Sequence, residues 1–368
     1  MKKLMTIAAA AGVMAMSFQA NAYTTYSCGT GSVKWSGNTK TMYVYEPDFP
    51  VGSTFRAALW ETVGKLNQNP SNFKIELVFT NTAPSLGNGR SEISIQNISP
   101  PGVTYFWWNG ACNFTEADVI MDSSVSWTTS IDKSTVGSYG GSGRPFQTTL
   151  LHELGHVTGL GHEADEYNIM GQDWNHLSTN YIWARSYFGE DAGDGAVALY
   201  GSDGTQDLGI VHWKHTGNSG EYSTHGRTRI LDASTNAELS YTLNGYGERK
   251  YNVARGQQVK LELTYENNGN NYQYEDIGYY VSTNDLITTV DTLLTTSNLG
   301  LSPDNVYTIT KTLTIPSNLS CSTDYWLGAI IDKDSTLVEF NESNNATYVP
   351  INVNWDWSCL FIPPVITL

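Results

Sequence analysis

The segment HELGHVTGLGH, residues 152–162, holds three of the seven histidines in the whole chain. His152 and His156 are four residues apart, so on a helix of 3.6 residues per turn they project from one face, one turn above the other. Two neutral imidazoles so placed can bind one Zn²⁺ at about 2.0–2.1 Å each. Glu153 lies one residue round the helix, beside the remaining coordination position, where a carboxylate can act as base on a metal-bound water. Gly159 falls where the chain must leave the helix if His162 is to return to the same metal, and glycine reaches positive φ without steric cost. A histidine pair at i, i+4 is often no more than a satisfied core or surface pair, and HExxH alone recurs by chance. The longer pattern HExxHxxGxxH fixes five positions in eleven, which chance seldom supplies. The expected site is three metal ligands (His152, His156, His162), one base (Glu153) and one hinge (Gly159).

The elements that must position these groups follow from periodicity. RPFQTTLLHELGHVTGL (144–160) begins with a breaker, Pro145, and places Leu150, Leu151, Leu154 and Val157 at helical spacing around the ligand face. Ahead of it, residues 55–69 step through Phe55, Leu59, Val63 and Leu66 as an amphipathic helix. Residues 73–79 alternate as a strand, and 91–98 and 118–122 are further strands. Residues 190–201 form a short helix closed by glycine. This first half is expected to be α+β, a small sheet with one catalytic helix.

From about Asp207 the character changes. Residues 259–268, 277–283, 306–315 and 325–332 are β-rich runs separated by Gly, Asn, Asp and Pro turns, the pattern of an antiparallel sandwich. No catalytic grouping of titratable residues is expected there. His212 and His215 sit in a strand-like segment whose i, i+3 side chains face opposite ways, which argues against a shared metal. The expected boundaries are a leader at 1–22, a catalytic domain at 23–203, a linker at 204–207 and a β-sandwich at 208–368. With every catalytic group before Gly201, the first domain is expected to work without the second.

Residues 1–22 have a Lys2–Lys3 head, an apolar stretch through Met16 and an Ala20-Asn21-Ala22 cleavage site, the pattern of an export signal. That apolar run is too short to span a bilayer, and no other stretch reaches about 18 apolar residues. The expected location is therefore secreted, either extracellular or periplasmic in transit, with the mature chain starting at Tyr23. Removing the two leader lysines leaves 18 basic against 36 acidic residues, a net charge of −18. So acidic a surface argues against nucleic-acid partners and anionic lipid. It keeps calcium among the ions to consider, since Asp and Glu supply oxygen ligands. Four cysteines in an exported chain suggest two disulfides. Three pairings are open, and Cys28–Cys112 with Cys321–Cys359 is the simplest because it stays within each half. A Cys28 thiolate covering the zinc is the rival use of that residue.

HELGHVTGLGH resembles the zinc signature of the metzincin metallopeptidases. The motif NIMG (168–171) places Met170 eight residues after His162, similar to the methionine turn of the matrixin branch. Asp165, and the terminal helix ending in Leu199-Tyr200-Gly201, also resemble the matrixin pattern, and the likeness covers roughly residues 30–203. It implies that His152, His156 and His162 bind catalytic zinc, that Glu153 is general base and acid, and that Met170 floors the site. Glu163 departs from the serine usual in matrixins after the third ligand, and no tyrosine follows Met170 where astacins and serralysins carry an extra ligand. Matrixins also hold structural zinc and calcium, but no residues here match well enough to assign such sites.

The segments YENNGN (265–270), YYVSTND (279–285) and IDKDSTLVEFNESNNATYVPI (331–351) resemble the CARDB-type immunoglobulin-like modules of exported bacterial proteins, which implies attachment to a surface or matrix component. The fold class expected for the whole is an α+β metzincin-like catalytic domain followed by an all-β immunoglobulin-like sandwich. The function expected is a zinc endopeptidase acting on protein or peptide substrates. The alternative from another class is a non-enzymatic adhesin or glycan-binding protein using the zinc fold as scaffold, and the presence of Glu153 weighs against it. His176 is expected to wall the pocket or make a hydrogen bond rather than act as a fourth ligand.

Overall fold

The computed structural model describes residues 23–29, 31–171, 174–303 and 305–354. The leader at 1–22 and Cys359 lie outside the described residues.

In the first half the apolar alternation of Thr39–Tyr45 (β1) makes it a central strand, flanked by Lys74–Thr80 (β2) and Glu92–Gln96 (β3). Gly102–Trp108 (β4) and Phe114–Asp122 (β5) complete a five-stranded sheet in the order β2-β1-β3-β5-β4. All its neighbours run parallel except β4, which is antiparallel to β5 and forms the edge. Thr54–Asn67 (α1) is capped by Ser53 Oγ accepting from the Arg56 amide. It buries Leu59, Val63 and Leu66 against the sheet and against Phe146–Thr158 (α2). Glu190–Tyr200 (α3) is tied to α2 by the Tyr200 hydroxyl, which donates to the Thr158 carbonyl at 2.8 Å. Cys28 and Cys112 form a disulfide that clips the N-terminal segment to the loop between β4 and β5.

The second half begins with Leu208–Val211 (β6) and a hairpin of Trp213–Ser219 (β7) and Tyr222–Arg227 (β8). The short strands Ile230–Asp232 (β9), Tyr241–Leu243 (β10) and Arg249–Val253 (β11) follow. The long ones are Gln258–Asn267 (β12), Gln273–Ser282 (β13), Thr292–Leu301 (β14), Val306–Thr314 (β15), Thr323–Ile331 (β16) and Ala346–Val353 (β17). One sheet pairs β6, β9 and β15 with β12, and the other runs β10-β11-β17-β16-β13-β14. Leu261, Leu263 and Tyr265 of β12 meet Tyr279, Leu327 and Ile351 of the other sheet in a single apolar core.

Among the described residues strands make up 44% and helices 15%, with three α-helices, so the class is mostly β. This overturns the expected α+β metzincin-like catalytic fold. Helical periodicity is confined to three segments, the longest of 14 residues. Meanwhile stretches of the first half without a clear period, such as GVTYFWW in β4 and the pair Leu177–Asn180 and Trp183–Ser186, find strand partners. The segment 204–207 leads into the second half. Asp207 is buried and accepts from the amide groups of Asn268 and Asn344 at 2.8 and 2.9 Å. No helix among the described residues is long and apolar enough to cross a membrane.

Candidate metal centre

The core side of α2 is apolar, with Leu150, Leu151, Leu154 and Val157 fully buried, which turns His152, Glu153 and His156 toward a cleft of about 330 Å³. The helix ends at Gly159, whose φ of 111° is the left-handed conformation that glycine tolerates. The chain reverses there, and His162 returns to the other two rings. The ligand nitrogens of the three histidines all lie within 4.8 Å of one another, with His156 Nε2 3.1 Å from His162 Nε2. Two nitrogens bound at about 2.0–2.1 Å to one tetrahedral zinc lie about 3.3–3.4 Å apart, so the spacing suits that ion.

The outer nitrogens decide where the lone pairs point. His152 Nδ1 is 2.8 Å from the Ile169 carbonyl, and His156 Nδ1 is 2.8 Å from the Leu160 carbonyl. Carbonyls only accept, so each Nδ1 carries the proton and each Nε2 presents its lone pair. His162 Nδ1 faces the Glu221 carboxylate at 3.1 Å, with the same consequence. Burial pushes the His152 imidazole down to about 4 and those of His156 and His162 down as well, which favours the neutral, metal-binding form. Donor set, convergence and tautomer therefore fit a zinc ion with three histidine ligands.

Glu153 is buried beside the ligand pair. Its carboxylate accepts from Thr104 Oγ1 of β4 at 2.8 Å, and Gly102 leaves it room that a Cβ would take. Burial raises the Glu153 carboxyl to about 7, against the opposing pull of the Thr104 hydrogen bond. Met170 is buried beneath α2 with its sulfur against Gly155, where a Cβ would overlap it. Asp165 is exposed, and its amide donates to the buried Glu163 carboxylate.

His176 corrects its expected role. It is fully buried away from the ligand set and the cleft, stacked on Tyr167 at 4.6 Å and packed on Tyr187 at 4.3 Å. His212, at the bend between β6 and β7, and His215, within β7, meet different partners. His212 Nδ1 meets the Tyr348 carbonyl, and His215 Nε2 meets that of Ala164.

Four residues at the site have no motif to announce them. Thr104 comes from the edge strand, Tyr26 places its hydroxyl 3.0 Å from His156 Nδ1, and Glu221 and Tyr222 come from the β7–β8 turn. The last two belong to the second half, which brings a carboxylate and an aromatic ring against His162. Only the spacing of the turn, NSGEY (218–222) between two short strands, could have drawn notice.

Among known proteins, the CARDB family model matches residues 246–349, and that part of the chain is a CARDB domain. No curated protein matches the chain. The solved structures it resembles include the crystal structure of the CARDB domain of PF1109 from Pyrococcus furiosus, described as in complex with di-metal ions. The identity is 16%, with 42% of this chain and 99% of that one covered and a TM-score of 0.27. A solution structure of the same domain matches at 21% identity over 28% of this chain and 85% of that one, with a TM-score of 0.23. The sporulation control protein Spo0M of Bacillus subtilis matches at 13% identity, covering 36% and 51%, with a TM-score of 0.20.

Proposed function

We propose that the protein is an exported zinc-dependent endopeptidase whose centre is His152, His156, His162 and Glu153, with the CARDB half serving attachment to a surface or matrix component. The observation that carries this reading is the convergence of three Nε2 lone pairs, each set by a bonded Nδ1, beside a buried carboxylate. The motif through Met170 resembles the metzincin signature, and the proposal extends to that kinship of chemistry.

A bound zinc would supply a Lewis acid and an acidified water. Glu153 is the group placed to take a proton from an attacking water and return it to the leaving nitrogen. A carboxyl held near 7 by burial can do both at neutral pH. Thr104 fixes the carboxylate through one oxygen. The edge strand β4 runs beside the cleft, which Gly102, Val103 and Thr104 line. Its outer backbone groups suit pairing with an extended peptide.

The test is Glu153→Gln in the mature chain, with zinc content and peptide cleavage measured together on a broad peptide library. Zinc should stay at one per chain while cleavage falls at least a hundredfold, since positioned acid–base groups contribute roughly 10²–10⁴-fold. Equal cleavage by the variant would refute the assigned base. If the parent binds no zinc and cuts no peptide, the non-enzymatic binding protein becomes the better reading.

A further inference from the structure

The third ligand, His162, stands apart from the other two. His152 and His156 are held by helix α2 and by backbone carbonyls, whereas His162 lies in a loop past the helix end. Thr24 donates to its backbone carbonyl and the other two ligand rings face it, but the further groups that meet its imidazole come from the second half of the chain. Glu221 Oε1 sits 3.1 Å from His162 Nδ1, and the Tyr222 ring packs on the imidazole at 4.0 Å between centroids. The hairpin bearing them is seated on the same loop. The Ser223 amide donates to the Glu163 carbonyl at 2.7 Å, and Gly171 packs so close to the Ser223 hydroxyl that a Cβ would not fit. Further along the hairpin, His215 Nε2 reaches the Ala164 carbonyl at 3.1 Å.

We propose that the β7–β8 turn is part of the metal centre, with Glu221 the positioning residue that holds His162 in its metal-binding tautomer and Tyr222 the wall that fixes its ring. This rests on the zinc reading above and deepens it, because the centre is then complete only when the second half is docked. A carboxylate accepting the outer N–H of a histidine ligand fixes its orientation and raises its basicity, and loss of such a partner typically costs about 10–100-fold in metal affinity. Glu221 is otherwise an unremarkable surface residue, 71% exposed at its side chain, so the fold does not need it.

Full-length mature protein carrying Glu221→Ala or Glu221→Asp tests the assignment by two measurements. In competition with a chromophoric chelator, Glu221→Ala should bind zinc about 10–100-fold more weakly than the parent, with Glu221→Asp recovering part of the loss. In the metal-free protein, imidazole ¹⁵N spectra should show His162 as the Nδ1–H tautomer in the parent and as a mixture in Glu221→Ala. Unfolding of the metal-free proteins should be the same for all three. If the parent takes up zinc and Glu221→Ala matches it within twofold, the positioning role falls while the zinc reading stands. If the parent takes up none, the zinc reading falls, and an unchanged His162 tautomer in Glu221→Ala would overturn the positioning role independently.

Discussion

Lys133 has no exposed surface, an unusual place for an ammonium group. It sits in the first half, but its partners belong to the second. Its Nζ lies 2.9 Å from Asp285 Oδ2 and 3.5 Å from Glu248 Oε1 and donates to the Tyr348 hydroxyl, which itself donates to Glu248 at 2.9 Å. Glu248 is 3% exposed and Asp285 12% at their side chains, so neither can turn to water if the lysine is lost. Lys133→Met keeps the length of the side chain and removes the charge, leaving two buried carboxylates facing each other's field. Breaking a buried pair this way costs about 3–5 kcal/mol. Urea unfolding of the mature protein should show a loss of that size. The triple variant Lys133→Met, Glu248→Gln, Asp285→Asn should recover most of it, because a neutral replacement of a buried ionic group is often near neutral in stability. A loss below about 1 kcal/mol, or a triple variant no better than the single one, would refute the view that this network clamps the halves together.

Two further outcomes are expected. Replacing Cys28 and Cys112 with serine opens a loop with a sequence separation of 84, and the chain-entropy relation puts the loss at about 4–5 kcal/mol, readable by unfolding under identical zinc loading. Burial raises the Asp207 carboxyl to about 8, whereas unfolded it titrates near 3.9, so folding takes up its proton between those values and stability contributed by this group falls as pH rises from about 4 to about 8. The stability difference between Asp207→Asn and the parent should therefore move in favour of the variant across that window, and a difference independent of pH would sink the assignment.

Much of the candidate centre could be read before any fold was known. His152, Glu153, His156, Gly159 and His162 are neighbours along the chain, and helix pitch alone puts the first three on adjoining faces. The long strands β12 and β15 show in the same way, through alternation and turn residues. The edge strand β4 did not, since GVTYFWW has half-exposed aromatics on both faces and no clean period. The strand content of the first half is hidden for a related reason. Short strands such as Trp127–Thr128, Leu177–Asn180 and Trp183–Ser186 are made by their partners, and periodicity over so few residues carries little information.

The tautomers of the histidines, the burial that lifts Glu153 and the support of His162 by Glu221 and Tyr222 were decided by packing. Spacing within a helix is dictated by backbone hydrogen bonds between near neighbours, so it is written locally. The approach of Thr104, Glu221 or Lys133 to partners far away in the chain depends on how whole sheets dock. That is a sum over many small apolar contacts, none of which leaves a mark at the residue that ends up in the site.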